Sequence, residues 1–389
     1  MSYIVKKNQV LESEFFTKVE IMGQPDLWLK LWKEYQLIKN DLKDYLLNIF
    51  NNTDISIILT GAGTSAFIGD VLLGAFNKNI DNPINAIPTT DLMTHAEQYF
   101  NKNKKYLLIS FARSGSSPES SQAIVLSEAL SKKVYHLIIT CNEDSELIRT
   151  VSTKDHFTLL MPPEANDKGL AMTGSFSTML LTGLLITRIN KEDNLEEQLI
   201  TLYNYGNRIL TEYFKDIQKI ASMDFNRAVF LGSGMLKGIA RESQLKLQEL
   251  TDGKVICKYD SFMGFRHGPK AVVHEKTLIV YLFSNNSYAN KYEVDLVKAV
   301  ASDRKNLCAI GVMEKDIELP DLNLKIVLSE NEKKLDEDFL SIVSVLPAQL
   351  LGFFKSLNLG LNPDSPSESG MIHRVVQGVN IYPYENGNQ

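Results

Sequence analysis

The chain has 389 residues, of which 44% are hydrophobic and 23% are charged, so it is an ordinary globular protein with room for two domains or one large one. Its net charge of -6 argues against a nucleic-acid-binding protein, which usually has a basic face. The three scattered cysteines predict neither a disulfide framework nor a paired zinc site, which favours a reducing cytoplasm. We find neither the apolar core of a signal peptide nor an apolar run long enough to span a membrane, so no membrane partner is expected.

Residues 1–50 are predicted to form an amphipathic helical segment that packs on the first domain. Apolar side chains recur there at helical spacing, and Trp28 and Trp32 are expected in the core rather than at a ligand. Short apolar runs, which we predict to be strands, then alternate with helical patterns; the first four are residues 55–60, 84–87, 107–109 and 134–139. This alternation indicates a mostly parallel sheet with helices on both faces, as in Rossmann-like and flavodoxin-like folds.

Residues 106–121 are the most informative stretch, because a buried strand there leads into a loop rich in hydroxyl groups. Six serines surround one glycine, and Pro118 and Glu119 then begin a helical pattern. The free N–H groups and the dipole at a helix start favour an anion, so this loop predicts a phosphate site. The alternative is a capped helix, because Ser and Pro also occur at helix starts for structural reasons. Capping needs only one or two serines, which favours the anion site.

The pattern of strand, loop and helix occurs twice in the chain. Gly-Ala-Gly at 61–63 and Gly-Ser-Gly at 232–234 each follow an apolar run, at an offset of 171 residues. The same offset relates two further strand ends. Residues 113–114 correspond to residues 284–285, and residues 139–140 correspond to residues 310–311, and each of these pairs follows an apolar run. Three strand ends with one offset predict an internal duplication of one α/β domain.

The first glycine loop supplies two candidate phosphate ligands, the hydroxyl groups of Thr64 and Ser65. Because the second copy has apolar residues at these positions, we expect copy one to hold an anion and copy two to supply other groups. The loop also matches the dinucleotide fingerprint G-x-G-x-x-A, which alone is a weak signal. The acid that this fingerprint requires is not at the end of the second strand, since Asp81 precedes it. A nicotinamide enzyme is therefore the less favoured alternative.

A further hydroxyl-rich helix start lies at residues 172–178. The functional interpretation is that Ser175 closes over the hydroxyl groups of a ligand. The alternative, which the pattern favours equally, is a helix cap.

The second copy contains the candidate acid and base groups. Glu242, Lys246 and Glu249 share one face of a predicted helix, a pattern most often found on a solvated surface. His267 follows in a Gly-Phe-Arg-His-Gly-Pro turn, which presents a side chain rather than burying it, and histidine suits proton transfer near neutral pH. A single loop histidine is more often incidental, so the interpretation of His267 depends on its context.

Over roughly residues 45–389, these features together resemble the SIS (sugar isomerase) domain family. The resemblance extends in particular to the isomerase half of glucosamine-6-phosphate synthase and to the AgaS-type group, whose marks here are residues 112–120 and 374–379. It implies two duplicated SIS domains. The predicted boundaries are an N-terminal helical segment at 1–50, a first SIS domain at 51–195, a second at 196–360 and a C-terminal tail at 361–389.

The resemblance also implies roles for individual residues. Ser65, Ser114 and Ser117 would bind a sugar phosphate, and Glu249 would move a proton between C1 and C2. His267 would assist ring opening and, as in the synthase family, would reach in from a partner subunit. Glu242 and Lys246 would be further polar residues of the site. A homodimer, or a dimer of dimers, with active sites at the subunit interface is therefore expected.

Two positions depart from the synthase pattern. Arg113 replaces a glutamine, after Ala112 in place of a serine, and would add a charged phosphate contact. Gln377 stands where the synthase tail has a lysine that serves the site, with His373 and Arg374 as candidate replacements. This difference, together with the missing glutaminase domain, argues against the amination half of the synthase reaction.

The leading hypothesis is a deaminase that converts galactosamine 6-phosphate to tagatose 6-phosphate and ammonia. Alternatives are a plain ketose/aldose isomerase acting on tagatose 6-phosphate or a related hexose phosphate, and a non-catalytic sugar-phosphate sensor. We expect neither metal nor cofactor, because acid and base groups suffice for the proton transfer and the six histidines show no ligand spacing.

Overall fold

The chain folds into two five-stranded parallel sheets, each flanked by helices. The computed structural model describes residues 15–191, 194–302, 308–320, 322–330, 332, 334–376 and 378–384. The predicted α/β class, with duplicated parallel sheets and a helical N-terminal segment, is confirmed.

Two helices, α1 (Phe16–Met22) and α2 (Gln24–Phe50), form the described part of the N-terminal segment. Trp28 is fully buried on the apolar face of α2, and its indole N–H donates to Ser177 Oγ at 2.9 Å. Trp32 is partly buried against the same core. Both tryptophans therefore pack in the core, as predicted.

The first sheet has the strand order β2-β1-β3-β4-β5, and all of its neighbouring strands are parallel. Its central strands are buried on both faces and are therefore almost continuously apolar. The elements are β1 (Ile55–Thr60), α3 (Thr64–Asn79), β2 (Ile84–Ala86), α4 (Thr89–Thr94), α5 (Ala96–Tyr99), β3 (Lys105–Ala112), α6 (Pro118–Leu130), β4 (Lys133–Thr140), α7 (Glu146–Thr150), β5 (His156–Leu160) and α8 (Gly174–Thr187).

The second sheet, read from β7, has the order β7-β6-β8-β9-β10, which is the order of the first sheet. The elements are α9 (Leu195–Glu212), α10 (Phe214–Ala221), β6 (Arg227–Gly232), α11 (Met235–Leu250), β7 (Ile256–Asp260), α12 (Phe262–Phe265), β8 (Thr277–Leu282), α13 (Ser287–Ala301), β9 (Cys308–Met313), β10 (Leu324–Val327), α14 (Glu337–Val343) and α15 (Leu346–Asn358). Two sheets with one strand order confirm the internal duplication.

The backbone repeats as closely as the strand order. Gly63 has φ 57° and ψ -128°, and Gly234, 171 residues later, has φ 53° and ψ -126°. The predicted offset is wrong at the fourth strand. Phe111 pairs with Ile139 whereas Leu282 pairs with Val312, so the offset there is two residues larger than predicted. The connection between β8 and β9 is longer by those two residues.

Helices α3 and α11 cross closely and bring the two copies together. A Cβ on Gly238 would lie 2.6 Å from Val71 Cγ2 and 2.9 Å from the Val71 backbone nitrogen. The largest apolar cluster extends from this crossing to the inner faces of both sheets, and a smaller cluster lies on the outer face of each sheet. The two copies therefore share one core, which fixes the start of α3 against α11.

Among the residues that the structure describes, one segment is long and apolar enough to cross a membrane, contrary to the expectation from the sequence. It comprises residues 337–358, and 94% of its apolar 18-residue stretch is buried inside the fold. A turn at Ser344 and Val345 divides it into α14 and α15. Its apolar character is that of a core element.

Candidate active site

A crevice forms where the first sheet reverses its strand order, between β1 and β3. These strands are parallel neighbours, with Thr60 paired to Ser110, so their carboxyl ends meet at one edge. The loops that follow them lead directly into α3 and α6. Two helix N-termini, each favourable to negative charge, therefore meet at the point where ligands bind in such sheets.

The start of α3 presents hydroxyl groups without a side-chain cap. Gly61 and Gly63 form the tight turn before it, and a Cβ on Gly61 would lie 2.6 Å from the Ser65 carbonyl carbon. Thr64 and Ser65 are buried, and Ser65 Oγ has only a weak contact with Met172 Sδ at 3.8 Å. Ser65 Oγ therefore retains hydrogen-bonding capacity toward the crevice.

The serine loop is held tightly at the start of α6. A Cβ on Gly115, which has φ 62°, would collide with the Ser145 side chain, and the Ser114 carbonyl accepts from Asn142 Nδ2 at 2.9 Å. Ser117 occupies the N-cap position, but its side chain makes no capping hydrogen bond. The capping alternative thus does not account for the Ser117 hydroxyl.

Arg113, directly after β3, is buried beside the crevice. Its Nη1 donates to the Leu170 carbonyl at 3.1 Å and its Nη2 to the Arg374 carbonyl at 2.6 Å. Desolvation lowers the pKa of Arg113, although an arginine keeps its proton in proteins. The guanidinium has five N–H groups, so three are left to meet a ligand.

The charged face of α11 is buried against the start of α3. Lys246 Nζ lies 3.2 Å from Glu242 Oε1, also contacts Glu249 Oε1, and donates to Thr64 Oγ1 at 3.2 Å. Glu242 and Lys246 are fully buried, so the solvated-surface alternative is wrong for both. Glu249 remains partly exposed, with 16% of its side chain accessible.

Burial and charge pairing decide the protonation of this cluster. Desolvation, opposed by Lys246 and reinforced by Glu249, raises the pKa of Glu242 to about 7. Desolvation lowers the pKa of Lys246, but its two carboxylate neighbours outweigh that effect, so the net shift is upward. The two carboxylates therefore favour the protonated form of Lys246 beside Glu249.

A cavity of about 600 Å³ joins the two copies. Thr64 and Arg113 line it from copy one, Lys246 and Glu249 line it from copy two, and residues 371–376 of the C-terminal segment close it. Glu242 lies behind Lys246. Ser65 lies in the first turn of α3, Ser114 and Ser117 lie in the loop before α6, and these three serines are not among the residues that line the cavity. Of the predicted site residues, Thr64, Arg113, Lys246 and Glu249 therefore line one cavity, and Glu242 contacts Lys246 behind it.

The corresponding edge of the second sheet is filled by its own carboxylates. A smaller cavity of about 310 Å³ lies there, next to Ser284 and Asn285. The Ser284 N–H donates to Glu293 Oε2 at 3.0 Å, and Asn285 Nδ2 donates to Glu314 Oε2 at 2.9 Å. These donors are therefore not free for an anionic ligand.

Ser175 has a structural partner. Asp167 lies at the start of α8 and accepts from the N–H groups of Thr173, Gly174 and Ser175 at 2.9, 2.9 and 3.0 Å. The Ser175 hydroxyl, which is fully buried, donates to Asp167 Oδ2 at 2.5 Å. The N-cap residue of α8 is Thr173, so Ser175 is not the helix cap; its hydroxyl binds Asp167 and is therefore not available to a ligand.

His267 does not line the cavity of its own chain. It is exposed in the turn after α12, where Gly268 has φ 114°. Gln377 lies outside the described residues, whereas His373 and Arg374, the candidate replacements for the synthase lysine, both line the cavity. Met371, Ile372 and Val376 of the tail also line the cavity, and Asp167 binds Arg374 beside it; the sequence did not indicate these residues, because only the fold brings them there. Within the described residues, no group of three His, Cys, Asp or Glu side chains is arranged to hold a metal ion.

The chain is similar to known proteins over most of its length. A sequence model of the SIS domain matches residues 49–188. Over 95% of its length, the chain is 37% identical to a protein of Shewanella sp. strain ANA-3 named D-galactosamine-6-phosphate deaminase AgaS, 92% of which is covered. The chain belongs to the AgaS-type group of the SIS family.

Two solved structures share this AgaS-type fold. A Clostridium novyi NT protein assigned as a tagatose-6-phosphate ketose/aldose isomerase is 41% identical, with a TM-score of 0.91 over 95% of each chain. The Escherichia coli tagatose-6-phosphate ketose/aldose isomerase is 33% identical, with a TM-score of 0.86 over 96% of this chain and 98% of that one. The similarity therefore extends over both copies.

Proposed function

We propose that this AgaS-type enzyme converts galactosamine 6-phosphate and water to tagatose 6-phosphate and ammonia. The observation that carries the proposal is the shared cavity, in which Thr64 and Arg113 of copy one face a buried lysine and a carboxylate of copy two. The deaminase name of the Shewanella relative, which matches over nearly the whole chain, supports the choice of substrate.

In this proposal, copy one holds the phosphate group. The N–H groups at the starts of α3 and α6 and the hydroxyls of Ser65, Ser114 and Ser117 donate to its oxygens, and Arg113 adds a fixed positive charge. Thr64 lies between this crevice and the cavity, where its hydroxyl contacts Lys246. The sugar carbons then extend toward α11.

Copy two performs the proton transfer. In the open-chain aldehyde, Glu249 takes the proton from C2 while O1 gains one, giving a 1,2-enolamine. Return of the proton to C1 and loss of one from nitrogen give the C2 imine. Water adds to C2, ammonia leaves, and the ketone remains. Lys246, held between two carboxylates, stabilises the negative charge that develops on O1 when the C2 proton is removed.

His267 would complete the site from a second subunit. It is exposed and absent from the cavity of its own chain, as expected of a residue that serves a neighbouring copy. A homodimer in the cytoplasm is therefore part of the proposal, with His267 assisting ring opening. Glu242 would hold Lys246 in place, and Gln377 would contact the substrate from the tail.

Plain isomerisation is the second candidate, because the two structural relatives carry ketose/aldose isomerase names. It needs the same proton transfer without the loss of nitrogen. The sensor alternative ranks below both, because a binding module has no need for a buried lysine beside a partly exposed carboxylate.

The test is to incubate the protein with galactosamine 6-phosphate and to measure ammonia and tagatose 6-phosphate over time. We expect the two products in equal amounts. Interconversion of an aldose and a ketose phosphate without ammonia would establish the isomerase instead. Binding of galactosamine 6-phosphate without turnover of any hexose phosphate would establish the sensor.

A further inference from the structure

Residues 371–376 of the C-terminal segment form one wall of the cavity. The side chain of Arg374 fixes this segment. Arg374 Nε donates to the Asp167 carbonyl at 2.9 Å, and its Nη2 donates to the same carbonyl at 2.5 Å and to Asn166 Oδ1 at 2.8 Å. Asp167 is itself immobilised by the start of α8. The planar fork of Arg374 therefore ties the tail to a rigid part of copy one.

The same segment orients Arg113. The Arg374 carbonyl accepts from Arg113 Nη2 at 2.6 Å, and the Leu170 carbonyl accepts from Nη1 at 3.1 Å. Leu170 is three residues from Asp167, and its N–H donates to the Asp364 carbonyl at 3.0 Å. The Arg374 carbonyl lies on the tail, which is bound to Asp167, and the Leu170 carbonyl lies near Asp167 on a segment that is bound to the tail. Both carbonyl groups that accept from the Arg113 guanidinium are therefore fixed in place.

We propose that Arg374 is a positioning residue, which acts through Arg113 on the phosphate group of the substrate. Arg113 makes no hydrogen bond to a side chain within the described residues, so its direction depends on these two carbonyl groups. A lysine at position 374 keeps the charge but cannot reproduce the three hydrogen bonds of the fork. The inference rests on the proposed function in two respects, the identity of the bound sugar phosphate and the contact of Arg113 with its phosphate group.

The experiment is a double-mutant cycle of Arg374→Lys and Arg113→Lys in the full chain, with galactosamine 6-phosphate. We expect Arg374→Lys to raise KM about tenfold, the equivalent of one lost charge-assisted contact, and to change kcat by less than about threefold. The double variant should bind no more than about threefold more weakly than Arg113→Lys alone, because both changes remove the same contact. The matched control is Glu368→Gln. Glu368 lies in the same tail, and this change breaks only its exposed ion pair with Lys254. Its KM should be unchanged.

Any of three results would overturn the inference. They are an unchanged KM in Arg374→Lys, effects of the two changes on KM that multiply in the double variant, and a fall in kcat without a change in KM. Thermal melting shows whether each variant is folded. If Arg374→Lys does not fold, the KM of Arg374→Gln decides. If the parent protein has no turnover, the proposed function fails, and the same cycle is completed with dissociation constants for galactosamine 6-phosphate from calorimetry.

Discussion

Hydroxyl groups at helix starts have two different roles in this molecule. At α8, the hydroxyl of Ser175 donates to Asp167, which also accepts from three backbone N–H groups. At α6, Ser117 is the N-cap residue, whereas Ser175 lies in the first turn of its helix, and Ser117 makes no capping bond. The difference lies in the neighbours, because a carboxylate fills the first position and the crevice between β1 and β3 opens at the second. Composition alone predicts both roles equally.

The serines of the α6 loop give the first prediction. Changing Ser114 or Ser117 to Ala removes a phosphate donor and should raise KM roughly 3- to 10-fold with little change in kcat, because the phosphate is bound equally in the ground and transition states. Steady-state kinetics measure both constants. Ser116→Ala, an exposed serine in the same loop, is the matched control and should keep the parent KM. A loss confined to kcat would contradict the phosphate role.

At the scale of elements, the site depends on how closely α3 and α11 approach. Gly238 allows this approach, since any Cβ there would meet the backbone of Val71. The contact places Thr64 within hydrogen-bonding distance of Lys246. Packing between the two copies therefore has a direct effect on the geometry of the charged cluster.

The second prediction concerns this crossing. Gly238→Ala should lower the free energy of unfolding by about 1–3 kcal/mol, because overpacking against backbone outweighs the better helix propensity of Ala. Gly74→Ala on α3 is the control, since its Cβ would meet only the flexible Met235 side chain at 3.3 Å. Chemical denaturation should show Gly74→Ala unchanged or more stable by up to about 1 kcal/mol. Equal losses in both variants would contradict the packing argument.

Much of the architecture follows from local patterns in the sequence. Buried parallel strands are continuous apolar runs, and the glycine loops recur at one offset because both copies need the same turn, as Gly63 and Gly234 show. The tail could not be placed in this way. Arg374 contacts Asp167 across 207 positions of sequence, and no periodicity encodes such a pair. The burial of Lys246 likewise could not be predicted from the sequence, because its helix has the charge spacing of a solvated surface.

At the scale of the whole molecule, the two copies differ at the sheet edge where an anion would bind. The position that Arg113 occupies in copy one is Ser284 in copy two, where its N–H donates to the buried carboxylate of Glu293. An internal carboxylate thus lies where an anionic ligand would bind. We infer that copy two has kept the fold and lost the anion site, while α11 supplies acid and base groups to copy one.

The third prediction is a fall in stability as the pH rises through neutrality. Desolvation raises the pKa values of Glu20, Glu242 and Glu293 to about 7, above the 4.5 of an ordinary glutamate. The folded state therefore binds more protons than the unfolded state between those values, and the free energy of unfolding falls across that window. Desolvation lowers the pKa of His136 from 6.5 to about 4. Between these two values His136 stabilises the folded state as the pH rises, which opposes the trend of the glutamates, but it is a single group.

Denaturant titrations at pH 5.5 and pH 8 measure this loss. Glu293→Gln, which removes one of the three carboxylates, should lose about 1–3 kcal/mol less than the parent between these pH values. A parent protein that becomes more stable as the pH rises would contradict the prediction.

The central claim is that the anchor and the catalytic base lie on different copies. The most direct measurement is the pair of kcat and Kd for galactosamine 6-phosphate in Glu249→Gln. The account predicts a fall in kcat of roughly 10²- to 10⁴-fold, as expected for loss of a general base, with Kd within about threefold of the parent value. A folded Glu249→Gln protein that keeps its turnover, or that no longer binds the sugar phosphate, would contradict it.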